Sequence, residues 1–455
     1  MKIAIFSLAP LYEKSIMGGS QKILHDLAIS LGEYGHEIKV WCTSSENNQE
    51  KFLLGNSKIY PHLFFRGKFP SPYQVSPISL IKSLKVIREA SEWADRIYLH
   101  ADGMYHRDSF SDKKIIRSFH DFIYDEAIIS SLSLAADATI VPSDYLKQCI
   151  EATLVLAKKK IIEPIIAVPN GLKINENLNS NKNNDLEGIN LLFPHRPQTA
   201  KGIIQAIKIA VKLQNKIPQK KVNLLAPYFS KNTNNDDTSL SYEQIVKIAE
   251  NEKAKNILKL YQWASHDNMN DFYSLANVTL CPGNFVESFG LVPLESVVNH
   301  TPAVCSSVGG FRSYSDIPAI KLFPYGDIDT AVELILESLD ISMDIFSYSK
   351  EIIYEKYSYS NMISMYEKII TNNKVIKQKV IIKDKYQKKL APWCSVEKDY
   401  IYNDYSSKRL YVKNLNSLMG VNKIIDILDK KLNPNDINKA IDLGYIVQDY
   451  QIEQL

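Results

Sequence analysis

Two glutamates eight residues apart, two cations behind a strand and several glycine-bearing strand ends are the parts of this chain whose types and spacing suit chemistry. In Glu287-Ser288-Phe289-Gly290-Leu291-Val292-Pro293-Leu294-Glu295 the first glutamate precedes a loop-to-helix turn and the second lies inside the helix. Carboxylates so placed reach points on the order of 10 Å apart, which lets one meet a sugar and the other a ribose across a diphosphate. The N–H groups of Gly290 and Leu291 would then face the phosphates. The spacing of the glutamates alone is common on helical surfaces. Phe289-Gly290 within it and the strand Val278–Pro282 before it make it specific.

Arg196 and Lys201-Gly202 follow an expected strand, Ile189–Phe193. They put two cations and a helix N-terminus at the carboxyl edge of a parallel sheet, where ligands bind in such folds, and fixed cations there suit a diphosphate leaving group. Taken alone they read equally well as solvated surface charges. Gly18-Gly19 opens directly onto the first helix, as a phosphate loop does and as a plain tight turn does. His120-Asp121 follows the strand Lys113–Phe119. A lone histidine is more often packed or solvated than catalytic, and Asp121 serves equally as a helix cap. Pro142-Ser143 and Asn170-Gly171 end two further strands and are by themselves turns.

These positions imply elements that hold them. Near-continuous apolar runs such as Ile3-Ala4-Ile5-Phe6 suit strands covered on both faces. Lys2–Ser7, Glu37–Thr43, Arg96–Ala101, Lys113–Phe119, Ala138–Pro142 and Ile165–Val168 read as strands, with a helix over Gly19–Tyr34 whose Ile23, Leu24, Leu27, Ala28 and Leu31 share one stripe. After the Asn-rich stretch Leu172–Asn190, read as a linker, strands at Ile189–Phe193, Val222–Ala226, Ile257–Tyr261, Val278–Cys281, Ala303–Ser306 and Ile320–Phe323 alternate with helices, the first over Lys201–Leu213. Phe229–Tyr242 reads as a polar loop, and residues 343–372 as two closing helices. The expected class is therefore α/β, two doubly wound Rossmann-like domains (1–172 and 188–372) facing a cleft. The Lys-rich stretch Asn372–Leu390 reads as a connector. Residues 391–455 read as a small α+β module with strands at Tyr400–Tyr402, Arg409–Val412 and Tyr445–Val447 and helices at Asn422–Lys431 and Asn435–Leu443.

A length of 455 residues suits two domains and an appendage, and a net charge of +3 gives no field that would gather nucleic acid. No stretch reaches the roughly 18 apolar residues of a membrane span, and the first apolar run ends at Ser7, so a cytoplasmic protein is expected. Phe64–Phe69 mixes aromatics with cations and reads as an acceptor-pocket wall, a peripheral membrane contact or a plain strand end. Five cysteines without a C-x-x-C pair suit scattered reduced thiols.

In order along the chain, Gly18-Gly19, Gly35-His36-Glu37, His120-Asp121, Pro142-Ser143, Asn170-Gly171, Arg196, Lys201-Gly202, Glu287 and Glu295 resemble glycosyltransferase family 4, a GT-B family, over roughly residues 1–372. The resemblance implies a nucleoside diphosphate sugar bound mainly to the second domain and an acceptor on the first. It implies that Arg196 and Lys201 bind the diphosphate, that Glu287 holds the transferred sugar and that Glu295 holds the ribose. Phe289, Gly290 and Leu291 would line the donor, Gly18 and Gly19 would approach its phosphate, and His120 would contact its sugar. It implies a retaining hexosyltransferase that uses no metal or cofactor, with a UDP-sugar favoured as co-substrate because it is the commonest donor of the family. No Asp-x-Asp motif stands where a Mg²⁺-dependent transferase would carry one, and Asp236-Asp237 lies in a polar loop. The chain departs from the family in Pro194-His195-Arg196-Pro197, where Gly-Arg is usual, in Ser288 within Glu287–Gly290, and in Ser296–Pro302. These departures bear on the donor's identity more than on the chemistry.

Two other readings are a non-catalytic sugar-nucleotide-binding or scaffold subunit and a same-fold epimerase. The first gives no chemical reason to keep Arg196, Lys201, Glu287 and Glu295 together, and for the second no extra acid and base are assignable. The acceptor stays open among a glycan, a lipid-linked group, a peptide or a small natural product. Residues 391–455 bear a loose likeness to winged-helix modules that bind peptides, which implies a peptide or protein partner; a stabilising or dimerising appendage is the plainer reading.

Overall fold

A computed structural model describes residues 1–16, 18–45, 48–65, 76–101, 107–110, 112–173, 187–229, 238–263, 269–374, 377–383, 387–412, 424–426 and 433–455. Its first elements are β1 (Lys2–Ser7), α1 (Gly19–Glu33), β2 (Glu37–Thr43), the hairpin β3 (Phe52–Leu54) and β4 (Ser57–Leu63), α2 (Pro77–Trp93) and β5 (Arg96–His100). β6 (Ile115–Ser118), α3 (Asp125–Ser133), β7 (Ala138–Val141), α4 (Asp144–Leu156), β8 (Ile161–Ile162) and β9 (Ile165–Ala167) follow. Ile3, Ala4 and Ile5 have no exposed surface, because β1 lies in the middle of the sheet with β2 on one side and β5 on the other, both parallel to it. The sheet has eight strands in the order β3-β4-β2-β1-β5-β6-β7-β9, and only the β3–β4 hairpin is antiparallel.

The next elements are β10 (Ile189–Leu192), α5 (Ile203–Lys216), β11 (Val222–Tyr228), α6 (Tyr242–Asn251), β12 (Leu258–Gln262), α7 (Met269–Leu275) and β13 (Val278–Cys281). α8 (Val292–Val298), β14 (Ala303–Ser306), β15 (Ile320–Phe323), α9 (Ile328–Ser338) and α10 (Met343–Lys356) complete this unit. Its sheet runs β12-β11-β10-β13-β14-β15, every pair parallel. Counted within the unit, that is the doubly wound order 3-2-1-4-5-6, whose switch point lies between β10 and β13. Ile203, Ala206, Ile207, Ile209, Ala210 and Leu213 of α5 are fully buried against the sheet.

Contacts divide the chain into Leu172–Tyr359, which holds this second sheet, and a first unit made of Met1–Gly171 together with Ser360–Leu455. α11 (Tyr359–Thr371) begins the return to the first unit: Arg96 Nε donates to the Ile370 carbonyl at 3.0 Å, and His36 pairs with Glu367. The Lys-rich stretch expected as a connector contains two strands instead, β16 (Gln378–Ile382) and β17 (Gln387–Leu390). β18 (Cys394–Glu397), β19 (Tyr400–Asn403), β20 (Lys408–Tyr411), β21 (Ile424–Asp426), the helix Pro434–Asp442, β22 (Ile446–Gln448) and β23 (Tyr450–Gln454) end the chain. β16 lies between β8 and β23, antiparallel to both, so the tail is stitched to the βα array by backbone hydrogen bonds. The expected helix Asn422–Lys431 is corrected where it is described, since Ile424–Asp426 is a strand paired with β17; a partner strand takes the backbone groups that a local helix would have used.

The tail has its own apolar cluster, which includes Ile401, Ile437, Ala440 and Ile446. Tyr450 packs on Ala152 and Val155 of α4, and the buried Tyr145 hydroxyl donates to Asp404 Oδ2 at 2.9 Å. All five cysteines are buried free thiols, and burial pushes Cys42 up to about 12. Among the described residues, no helix is long and apolar enough to cross a membrane. Phe65 is buried; Arg66–Phe69 and Asp236-Asp237 lie outside the described residues.

Candidate active site

β10 and β13 deliver their following loops side by side at the switch point of the second unit. The loop after β10 carries His195, Arg196 and Lys201 into the opening turn of α5; the loop after β13 carries Gly283, Phe285 and Glu287 towards α8. The two backbones touch. Gly202, the N-cap of α5, sits at φ +97°, and a Cβ there would lie 2.5 Å from the Gly283 nitrogen, so a side chain meets both strain and main chain. The Phe285 N–H donates to the Ala200 carbonyl at 2.9 Å and locks the crossing.

On this scaffold Lys201 Nζ donates to Glu287 Oε1 at 2.5 Å, the two side chains being 18% and 16% exposed. The ammonium also stands 3.4 Å from the centre of the Phe285 ring. Carboxylate and ring face hold the cation in one place by charge and by quadrupole. Lys201, Glu287, Phe285, Gly283, Cys281 and His195 line a small recess. His195 is buried there; desolvation first, then the Lys201 charge, pushes its pKa down to about 3, so the ring is neutral near pH 7. Among the described residues its buried Nε2 has no hydrogen-bond partner.

Behind β14, Val308-Gly309-Gly310 clamps the backbone of Glu287. The Gly310 N–H donates to the Glu287 carbonyl at 2.6 Å, and a Cβ on Gly309, at φ +59°, would lie 2.4 Å from the same oxygen. Phe289 is buried against Tyr314 and Tyr357, and Tyr314 Oη donates to the Phe289 carbonyl at 2.9 Å. Gly290 lies against the Phe311 ring, and Leu291 caps α8. Glu295 projects from α8 and accepts from Tyr273 Oη at 3.1 Å.

The structure thus brings Lys201 and Glu287 into contact, leaves Arg196 half-buried at the same loop, and holds Glu295 apart on its own tyrosine. Phe285, His195, Tyr273 and Gly309-Gly310 join the group without having been singled out as site residues. The paired glycines after β14 were a readable turn signal, whereas nothing local marks Phe285 or Tyr273.

Gly18, Gly19 and His120 belong to the first unit. Gly18 is the N-cap of α1, and both glycines are exposed. His120 is buried beyond β6, 3.2 Å from Ser118 Oγ through Nε2, with its ring 4.6 Å from that of His100. Burial and then the neighbouring His100 hold it well below the usual histidine range.

Two doubly wound Rossmann-like units in one chain, the second in the dinucleotide-binding strand order, define the GT-B class. Residues 175–340 match the family model of glycosyl transferases group 1. No curated protein matches the chain by sequence. Among solved structures, sucrose-phosphate synthase from Thermosynechococcus elongatus superposes with a TM-score of 0.64 at 17% identity, covering 81% of this chain and 98% of that one. Anabaena HepE in complex with UDP gives 0.59 at 16% identity, covering 82% and 100%. The E. coli trehalose-6-phosphate protein bound with UDP-2-fluoro glucose gives 0.61 at 13% identity, covering 82% and 99%. At these identities the likeness is one of fold.

Proposed function

We propose that the protein is a retaining hexosyltransferase that moves a sugar from a nucleoside diphosphate sugar to an acceptor in the cytoplasm, without metal or cofactor. The observation that carries the reading is the Lys201–Glu287 contact at the switch point of the second unit, beside the opening turn of α5. Donor binding would part this pair, giving Lys201 with Arg196 to the diphosphate and Glu287 to the sugar's hydroxyls. Charge that develops on the leaving phosphate then meets fixed cations and the outward N–H groups of a helix start, and the phosphate itself takes the acceptor's proton on the same face. Glu295, oriented by Tyr273, is assigned the ribose, with Phe289, Gly290 and Leu291 along the donor; Gly18, Gly19 and His120 keep the roles that the resemblance gives them. UDP is the first nucleotide to try, because HepE was solved with UDP and the E. coli protein with UDP-2-fluoro glucose. The tail, joined to the first unit through β16 and Tyr145, is assigned to the acceptor side, where a peptide or protein partner would bind.

A thermal-shift panel of UDP-, GDP-, ADP- and dTDP-sugars tests the reading. One donor at about 100 times its Kd stabilises the protein by about 2.7 kcal/mol and raises the melting temperature. A panel that shifts nothing, with no sugar transfer or donor hydrolysis, overturns it.

A further inference from the structure

We propose that Tyr98 and His100 decide which nitrogen of His120 carries its proton: a chain of hydrogen bonds inside the first unit fixes the His120 imidazole as the Nε2–H tautomer. Its Nδ1 is then an acceptor, suited to a sugar hydroxyl and unsuited to a phosphate oxygen. Only the identity of that ligand rests on the proposed function; the tautomer follows from this chain's own atoms.

The strands place the groups. Tyr98 and His100 are two residues apart on β5 and share a face; Ser118 ends the neighbouring β6, and His120 lies two residues on. His100 Nε2 is 2.9 Å from the Ser20 carbonyl oxygen. A carbonyl only accepts, so this nitrogen bears the proton. Burial pushes His100 down to about 4, which leaves the ring neutral near pH 7 and Nδ1 a bare lone pair. Tyr98 Oη, 3.0 Å from Nδ1, must therefore donate to it.

A phenol has one proton. Ser118 Oγ lies 2.8 Å from the same Tyr98 oxygen, and of these two hydroxyls it is Ser118 that must donate. The Ser118 oxygen is then left only to accept, from the Ala101 N–H at 3.2 Å and from His120 Nε2 at 3.2 Å. His120 is neutral, so a proton on Nε2 makes Nδ1 the acceptor. Ser20 Oγ also lies 3.2 Å from His100 Nε2 and can accept from it, so the Ser20 carbonyl, which can only accept, sets the direction of the steps that follow. Ser20 stands in the first turn of α1, directly after Gly18-Gly19, so the order begins at the glycine loop and ends at His120.

Histidine-selective ¹⁵N labelling of the full chain, with long-range ¹⁵N–¹H correlation and no donor or acceptor present, reads the tautomer directly. His120 is assigned as the pattern lost in His120→Gln. The expected pattern is a protonated Nε2 and a bare Nδ1. In Tyr98→Phe the Ser118 proton loses its acceptor and turns to His120 Nε2, so the two nitrogens exchange their shifts. If Tyr98→Phe does not fold, Ser118→Ala takes its place: it removes the acceptor at Nε2, and the single-tautomer pattern is lost. A wild-type ring protonated on Nδ1, or an Nε2–H pattern that survives in the folded variant, overturns the proposal. Because the spectrum is taken without substrates, a failure of transferase activity bears on the proposed function and not on the tautomer.

Discussion

Beyond β10 and β13 of the second unit stand an ammonium and a carboxylate in contact at 2.5 Å, each still partly open to water. At the end of β5 and just past β6 of the first stand two imidazoles with pKa values driven down by burial, tied to one another through hydroxyls, the first of them directly to a backbone carbonyl as well. The two pairs of strands differ in place, β10 and β13 flanking the switch point of their sheet and β5 and β6 lying to one side of β1 in theirs, and one site keeps charge while the other excludes it. Charge at a partly wet loop can be handed to an incoming anion at small cost; a dry set of neutral groups has no charge to give, and instead offers donors and acceptors in a fixed order.

The largest effect that would sharpen the contrast is loss of the charged pair. Lys201→Ala and Glu287→Ala should each lower turnover by about 10²–10³, the scale of losing one fixed group at a developing charge. Circular dichroism should be unchanged, since Gly202, Gly283 and Gly309, and not this ion pair, close the loops together. Full activity in either variant would move the site elsewhere.

Next in size is removal of the tail. A chain ending at Asn373 strips β16 from β8, Asp404 from Tyr145 and Tyr450 from Ala152 and Val155. Re-exposing those apolar contacts should destabilise the first unit by on the order of 3 kcal/mol in urea titrations, while the nucleotide still shifts the melting of the second. Unchanged unfolding of the first unit would make the tail the tethered module that its lysines suggest.

That stretch shows where the sequence stops being legible. The two βα arrays are readable because both faces of their strands are buried, so apolar runs announce themselves, as in Ile3–Phe6 and Val278–Cys281. β16 and β17 are short strands set among lysines, with partners far off in the chain; Val380-Ile381-Ile382 is the one run that hints at β16, and nothing local marks β17. Helical spacing in Asn422–Lys431 misleads for the same reason, since strand pairing is settled by the partner. At the site, Lys201, Glu287 and Glu295 were readable from motif order, whereas Phe285 and Tyr273 act through space. The relay was half-visible: Tyr98 and His100 alternate with apolar residues on β5, and Ser118 and His120 lie two residues apart across the end of β6, so the four share a face that a sequence pattern can suggest and only strand pairing brings together.

Acid should separate the units by a smaller amount. The folded pKa values of His195, about 3, and His100, about 4, lie below the usual histidine value, so the unfolded chain binds more protons than the folded one between those values and about 6.5. Stability is therefore complete above that window and falls as pH drops through it, by at most about 1.4 kcal/mol per unit for each group. His195→Gln should flatten the fall for the second unit and leave that of the first alone, as read by urea midpoints between pH 7 and pH 4. An identical slope in wild type and variant would show that His195 takes up its proton without cost to the fold.

The smallest expected effect is none at all. If leaving-group charge is met by Lys201, Arg196 and the opening turn of α5, then EDTA should leave transfer unchanged, because nothing in that account draws on a dissociable cation. The glutamate beside Lys201 sharpens the point. A divalent ion placed at the diphosphate would find Glu287 as its nearest carboxylate and would compete with the ammonium 2.5 Å away, so added Mg²⁺ or Mn²⁺ should at most inhibit. Rates with and without chelator, followed by readdition of each metal, decide between the two sources of charge. Complete loss on chelation with recovery on Mg²⁺ would mean that the cation comes with the donor, and that Lys201 only holds Glu287 in place.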